Sequence, residues 1–220
     1  MKKLLFICIM IFFIALIVLY PKQSENCIYA CTTISSPGSY KLCRDLENVR
    51  NRTCIKISSN SIAFDCNSHS ISGTNLSNSA GIYGSNITNI TLKNCKISNF
   101  NIGVEFHKVH SSLIKNCNLS LNSIGILLDG DKNRVLNSTA EHNSYRGFWI
   151  SGYDNWLVNS TARLNRRYGV ELMGRNNLIS KNFVYLNMVG IEVAYSHNNI
   201  CLLYTSDAAD ELDGVDLGGR

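Results

Sequence analysis

Five short segments alternate with a period of two: Val104-Glu105-Phe106, Ile126-Leu127-Leu128, Phe148-Trp149-Ile150, Val170-Glu171-Leu172 and Ile191-Glu192-Val193. Their first and third positions are large and apolar, while the middle one varies and is often charged. That is the pattern of a strand with one buried face. Each segment follows a glycine. Gly81, Gly103, Gly125, Gly147 and Gly169 are spaced by 22 residues, and Gly190 follows at 21. Whole phrases recur at the same interval, Lys-Asn-Cys at 93–95 and 115–117, then Asn-Ser-Thr-Ala at 137–140 and 159–162. Two further apolar stretches precede each trio, such as Ile90-Thr91-Leu92 and Cys95-Lys96-Ile97. Three strands in 22 residues are too short for useful hairpins. They predict one triangular coil of a parallel solenoid, each coil stacked on the next at about 4.8 Å.

Composition sharpens the corners of that triangle. The chain has 27 Asn among 220 residues. Asn is a poor helix former, but it tolerates left-handed backbone angles and hydrogen-bonds its own backbone. Asn99, Asn143, Asn165 and Asn187 fall at one corner and are expected to stack as an amide ladder. Eight residues beyond the glycines lie Asn89, Ser111, Asn133, Asn155, Asn177 and Asn198, a second corner column.

These repeats resemble the right-handed parallel β-helix, or pectin-lyase-like, superfamily. They are most similar to NosD-type periplasmic copper-binding repeats and archaeal surface β-helix proteins. Residues 31–40, Cys-Thr-Thr-Ile-Ser-Ser-Pro-Gly-Ser-Tyr, and residues 62–73 look like the opening coils of such secreted proteins. The likeness covers roughly residues 31–200. It implies an all-β solenoid of at least six 22-residue coils. It leaves activity open, because this scaffold carries lyases, hydrolases, epimerases, adhesins and inert spacers.

Both ends differ from the repeats. Lys2 and Lys3 precede an unbroken apolar run over residues 4–20, the order of an export signal. As a helix the run would span about 25 Å, borderline for a bilayer crossing. A cleaved signal peptide and an uncleaved N-terminal anchor therefore both stand, and either one places the body outside the cytoplasm. Residues 201–220 contain five acids, one base and no Asn, unlike everything before them. Back-translation of 201–211 and of 215–220 yields strings that look like a transposase-library sequencing adapter, so this tail is read as non-native. The expected organisation is 1–22 signal or anchor, 23–60 N-terminal cap and first coil, 61–200 β-helix repeats, and 201–220 read-through.

Charge narrows the partners. Setting aside Lys2, Lys3, Arg220 and the five tail acids leaves 18 basic and 11 acidic residues, a net of +7. An acidic polymer or an anionic lipid surface fits that balance. No recognition motif supports nucleic acid. Only 17% of residues are charged and two are proline, which excludes a disordered polyampholyte and a collagen-like chain.

The chemistry-bearing residues are few. With Cys8 and Cys201 set aside, seven cysteines remain, and export permits pairing. Cys31, Cys43, Cys54 and Cys66 cluster near the cap, with Cys31–Cys54 the favoured bridge. Cys95 and Cys117 share a column, with Cys66 the candidate for the coil below, and a stack of small buried hydrophobes is the preferred reading of it. Sequons occur at Asn51, Asn75, Asn86, Asn89, Asn118, Asn137 and Asn159, their occupancy conditional on the host. The outward column of the best strand reads Glu105, Leu127, Trp149, Glu171, Glu192, and two residues on come His107, Asp129, Ser151, Met173 and Ala194. Glu171 and Glu192 would lie about 5 Å apart, near the separation of a retaining glycosidase pair. Trp149, Tyr153 and Trp156 are candidates to stack a sugar, and Arg163, with Arg146, Arg166, Arg167 and Arg175, to meet an anionic glycan. Asp129, Asp131 and Asp154 are scattered, and His107-x-x-His110 shows no third ligand, so no metal residue is assigned; copper and calcium stay open as cofactors.

The expectation is thus an exported cell-surface or periplasmic scaffold that contacts polysaccharide or envelope glycan without catalysis. The alternatives are a carbohydrate-active enzyme using the Glu171/Glu192 face, and a copper-binding maturation protein of the NosD kind.

Overall fold

The computed structural model describes residues 26–202. The segment expected to be a signal or anchor, and the expected non-native tail beyond Leu202, lie outside them. Every described element is a strand, and every pairing between strands is parallel. The strands form three sheets of nine, seven and eight members. Successive strands visit the three sheets in turn, so the chain winds through about eight coils of a right-handed solenoid. Cys201 and Leu202 continue the last coil, since Ile200–Leu202 pairs with Leu178–Ser180 in the register of the strands before it.

The eight-stranded sheet holds the longest strands, among them Ala80–Thr88, Ile102–His110 and Val189–His197. Its register stacks Ile82, Val104, Ile126, Phe148, Val170 and Ile191 on one another, each at most 2% exposed. The period-two alternation therefore buries the first position of every trio, and burial of such side chains is worth about 2 kcal/mol each. The regular glycines are explained by close approach of coils. A Cβ on Gly103 or Gly125 would sit 2.6 Å from the carbonyl oxygen of the next glycine in the column.

Each corner uses two adjacent residues with opposite duties. The first takes a left-handed backbone and points outward; the second points inward and caps the neighbouring coil. Between the eight- and nine-stranded sheets the left-handed residues are Asn89, Ser111, Lys132, Asp154, Asn176 and Asn198, with φ of 51–59°. Their followers Asn133, Asn155, Asn177 and Asn199 form the ladder, each amide oxygen accepting the backbone N–H of Ser112, Asn133, Asn155 or Asn177 in turn. Asn89, Ser111 and Asn198 thus stand one position off the column in which the sequence placed them. The same offset corrects the other ladder. Asn122, Asn143, Asn165 and Asn187 are its members. Asn99 has φ 60° and bonds Ser72, and Phe100 occupies the inward place.

Three disulfides tie the early coils, Cys27–Cys43, Cys31–Cys54 and Cys66–Cys95. The cysteine column is therefore not a plain stack of hydrophobes, because two of its three thiols are crosslinked between coils. Cys117 is the buried free thiol of that column, directly below Ser138, whose hydroxyl accepts the Cys117 N–H. Burial pushes its pKa up to about 12.

Candidate functional site

The outer face of the eight-stranded sheet gathers most of the candidate residues. Register places Tyr83, Glu105, Leu127, Trp149, Glu171 and Glu192 in one file across six coils. Glu171 and Glu192 are direct neighbours in it. Their environments differ. Glu171 is only 3% exposed, and its carboxylate accepts from the Arg146 guanidinium. Glu192 is half-buried and hydrogen-bonds Tyr168. Burial first, then the negative charge of Glu192, raises the Tyr168 pKa.

Arg146 organises this end of the face. Its guanidinium carbon lies 4.1 Å from the Tyr145 ring centroid, 4.4 Å from Trp149 and 5.6 Å from Tyr168. Arg167 covers the outer side, 5.4 Å from Tyr145 and 4.8 Å from Tyr168, and donates to the Tyr145 hydroxyl at 3.1 Å. The result is a wall of three aromatic rings held by two arginines, one of them neutralised by a buried carboxylate. Such stacking is worth about 0.5–2 kcal/mol per cation–ring pair. Sequence reasoning missed Tyr145 and Tyr168. The signal was there: Asn143 precedes Gly147 by four residues, whereas Asn122 precedes Gly125 by three. The extra residue at this corner is what brings an aromatic ring onto the face.

Beside the wall lies a cleft of about 230 Å³ lined by His107, Leu127, Leu128, Asp129, Trp149 and Ser151. The Trp149 indole N–H is buried and has no hydrogen-bond partner. His107 Nε2 sits 3.0 Å from Glu105 Oε1. His110 is occupied elsewhere, its Nδ1 accepting the Asp131 N–H at 3.2 Å. Asp131 in turn accepts the Tyr153 N–H at 2.9 Å. Among the described residues no group of three or more His, Cys, Asp or Glu could hold a metal ion.

The other sugar-stacking candidates are dispersed. Tyr153 ends a strand of the eight-stranded sheet under Arg175. Trp156 lies on the nine-stranded sheet, 4.5 Å beneath the Arg134 guanidinium. Arg163 lies on the seven-stranded sheet, paired with Glu141 at 2.6 Å. Trp149, Tyr153, Trp156 and Arg163 therefore do not converge on one surface. Of the sequons, Asn51, Asn75, Asn86, Asn89, Asn137 and Asn159 are exposed, whereas Asn118 is half-buried and bonds Glu141 at 3.3 Å.

A family model described as the right handed beta helix region matches residues 42–155 and 116–208. Among curated proteins none matches the chain. Two solved structures are similar. One is the A-module of the Azotobacter vinelandii mannuronan C-5 epimerase AlgE4, with TM-score 0.46, 13% identity, and coverage of 80% of this chain and 58% of that one. The other is pectate lyase Pel9A, with TM-score 0.35, 14% identity, and coverage of 74% and 69%. The chain thus spans 58% of the epimerase module's length.

Proposed function

The chain belongs to the right-handed β-helix family, and we propose that it is an exported scaffold that contacts polysaccharide through the outer face of its eight-stranded sheet, without catalysis. The observation that carries this reading is the state of Glu171. A retaining pair needs two carboxylates free to exchange roles between nucleophile and acid/base. Here Glu171 is buried and held by Arg146, while exposed Arg167, half-buried Tyr145 and Trp149, and the Trp149 cleft lie open beside the half-buried Glu192. Rings and guanidinium groups bind sugars and anions by stacking and charge, with no need for a reacting group. Three disulfides suit an oxidising compartment and agree with export.

The test is retention of the chain on immobilised anionic and neutral polysaccharides, with the flow-through assayed for reducing ends and unsaturated products. Retention without product supports the reading, and Trp149→Ala should release the protein earlier. Product whose formation stops in Glu171→Gln would overturn it in favour of the carbohydrate-active enzyme. Copper is the third reading, and no feature of the face favours it over glycan, since His107 and His110 already face Glu105 and Asp131.

A further inference from the structure

The three corners of the coil repeat one backbone conformation with very different side chains. Two corners fill the left-handed position with polar residues throughout: Asn89, Ser111, Lys132, Asp154, Asn176 and Asn198 at one, Asn94, Asn116, Asn137, Asn159 and Lys181 at the other. The third, between the seven- and eight-stranded sheets, reads Asn99, Leu121, His142, Leu164 and Leu186. Three leucines there hold φ of 54–57°, a region that suits Asn and Gly and penalises a bulky side chain. They stay outside the core, being 56%, 38% and 53% exposed. The fold demands only the turn, which polar residues, mostly Asn, supply at the other two corners. A local rule broken three times in one file, by apolar side chains that do not enter the core, marks a surface kept for something outside the chain.

The leucine file does not stand alone. Phe183 and Tyr185 border it on the outermost described strand of the seven-stranded sheet, and Met188 follows Leu186 across the same end corner. Arg166 and Arg167 follow Leu164 in the same way and are exposed. The one acid on this part of the seven-stranded sheet, Glu141, is engaged by Arg163. The stripe runs along the solenoid axis, and three coils separate Leu121 from Leu186, about 14 Å.

We propose that this leucine corner rests on an anionic lipid surface. Leucine, methionine and aromatic side chains beside arginines are the set that enters the boundary between acyl chains and acidic headgroups. A second copy of the chain would bring arginine against arginine. A polysaccharide offers rings and hydroxyls, which branched aliphatic side chains serve poorly. The leucine file is distinct from the glycan-contacting wall and shares with it only Arg166 and Arg167 at the corner between them, so the leucine variants test the lipid contact separately.

The experiment places a benzoylphenylalanine photocrosslinker at position 164 or 186 of the full chain, with position 134 on the nine-stranded sheet as the control. The probe is a vesicle of phosphatidylcholine with about one third phosphatidylglycerol, compared with pure phosphatidylcholine. Because any apolar N-terminal segment is shared by all variants, only the contrast between positions counts. Lipid adducts at 164 and 186 should exceed those at 134 at least tenfold in anionic vesicles, and should fall several-fold in Arg166→Glu/Arg167→Glu. A further pair of variants carries the crosslinker at position 188, one with the three leucines intact and one with Leu121, Leu164 and Leu186 changed to Asn, a change the turn favours; the second should lose the adducts of the first while melting no lower. Equal adducts at 134, adducts indifferent to phosphatidylglycerol, or adducts joining two protein chains instead of lipid would each overturn the proposal.

Discussion

Asn165 shows how much of the fold hangs on a single amide. Its oxygen accepts from the Asn143 backbone N–H and side chain, and its nitrogen donates to the Ala140 carbonyl and to Asn187. All of these groups are buried, so Asn165→Ala leaves a donor and an acceptor unsatisfied. At roughly 1–3 kcal/mol per stranded group the variant should lose about 3 kcal/mol, read as a lower denaturant midpoint at unchanged slope. Asn99→Ala should cost only about 1 kcal/mol, for the left-handed angle alone. The sequence showed that asparagines stack but not which ones. Outward and inward residues are adjacent, and Asn176-Asn177 or Asn198-Asn199 present the same residue type for both duties. Cys117 supplies a second test at this scale. Its pKa is raised to about 12, so the thiol stays neutral in the folded chain while the unfolded chain ionises near 9. Its contribution is complete below about pH 9 and lost as the pH rises towards about 12. The stability difference between the parent and Cys117→Ala should therefore shrink over that range. A difference independent of pH would show that the thiol is not buried.

Among elements, the eight-stranded sheet owes its bend to a file of glycines that the 22-residue period did not single out. Gly130, Gly152 and Gly174 have φ of 140°, 121° and 107°. A Cβ at Gly152 would lie 2.1 Å from the Gly130 carbonyl oxygen, which is backbone and cannot yield. Gly152→Ala should therefore cost more than about 3 kcal/mol, from angle and overlap together, and its thermal midpoint should drop accordingly. The period was legible because strands and glycines repeat identically; this file was not, because its neighbours Lys108 and Tyr195 meet the same bend with φ of 50° and with side chains. Corner length misled in a similar way, for one inserted residue brought Tyr145 onto the candidate face, beside Tyr168 at the regular position before the next glycine. At the third corner the opposite substitution is informative. Leu164→Asn should raise stability by about 1 kcal/mol, since it relieves the left-handed leucine and removes an exposed apolar group.

At the scale of the whole molecule, a body with a net of +7 offers little free charge on the proposed glycan face. Arg146 is neutralised by Glu171, which leaves Arg167 and its neighbour Arg166 at the edge of the aromatic wall and Arg175 over Tyr153 at the far end of the strands. Retention on an anionic polysaccharide should then have two parts. Exposed guanidinium groups act through water and are screened over about 8–10 Å at ordinary ionic strength, so their share should vanish as salt rises. Stacking on Trp149 and its neighbours does not depend on salt, and about 1.4 kcal/mol from it corresponds to a tenfold change in affinity. Arg166→Gln/Arg167→Gln should abolish the salt-sensitive part alone, and Trp149→Ala the part that survives high salt. Binding that disappears wholly with salt would mean that the rings take no share and that any polyanion would serve. Binding untouched by either change would place the contact on another face of the solenoid. The two-part response is the specific signature of rings and guanidinium groups acting together on one outer face, with the carboxylate beneath them engaged in holding that face in shape.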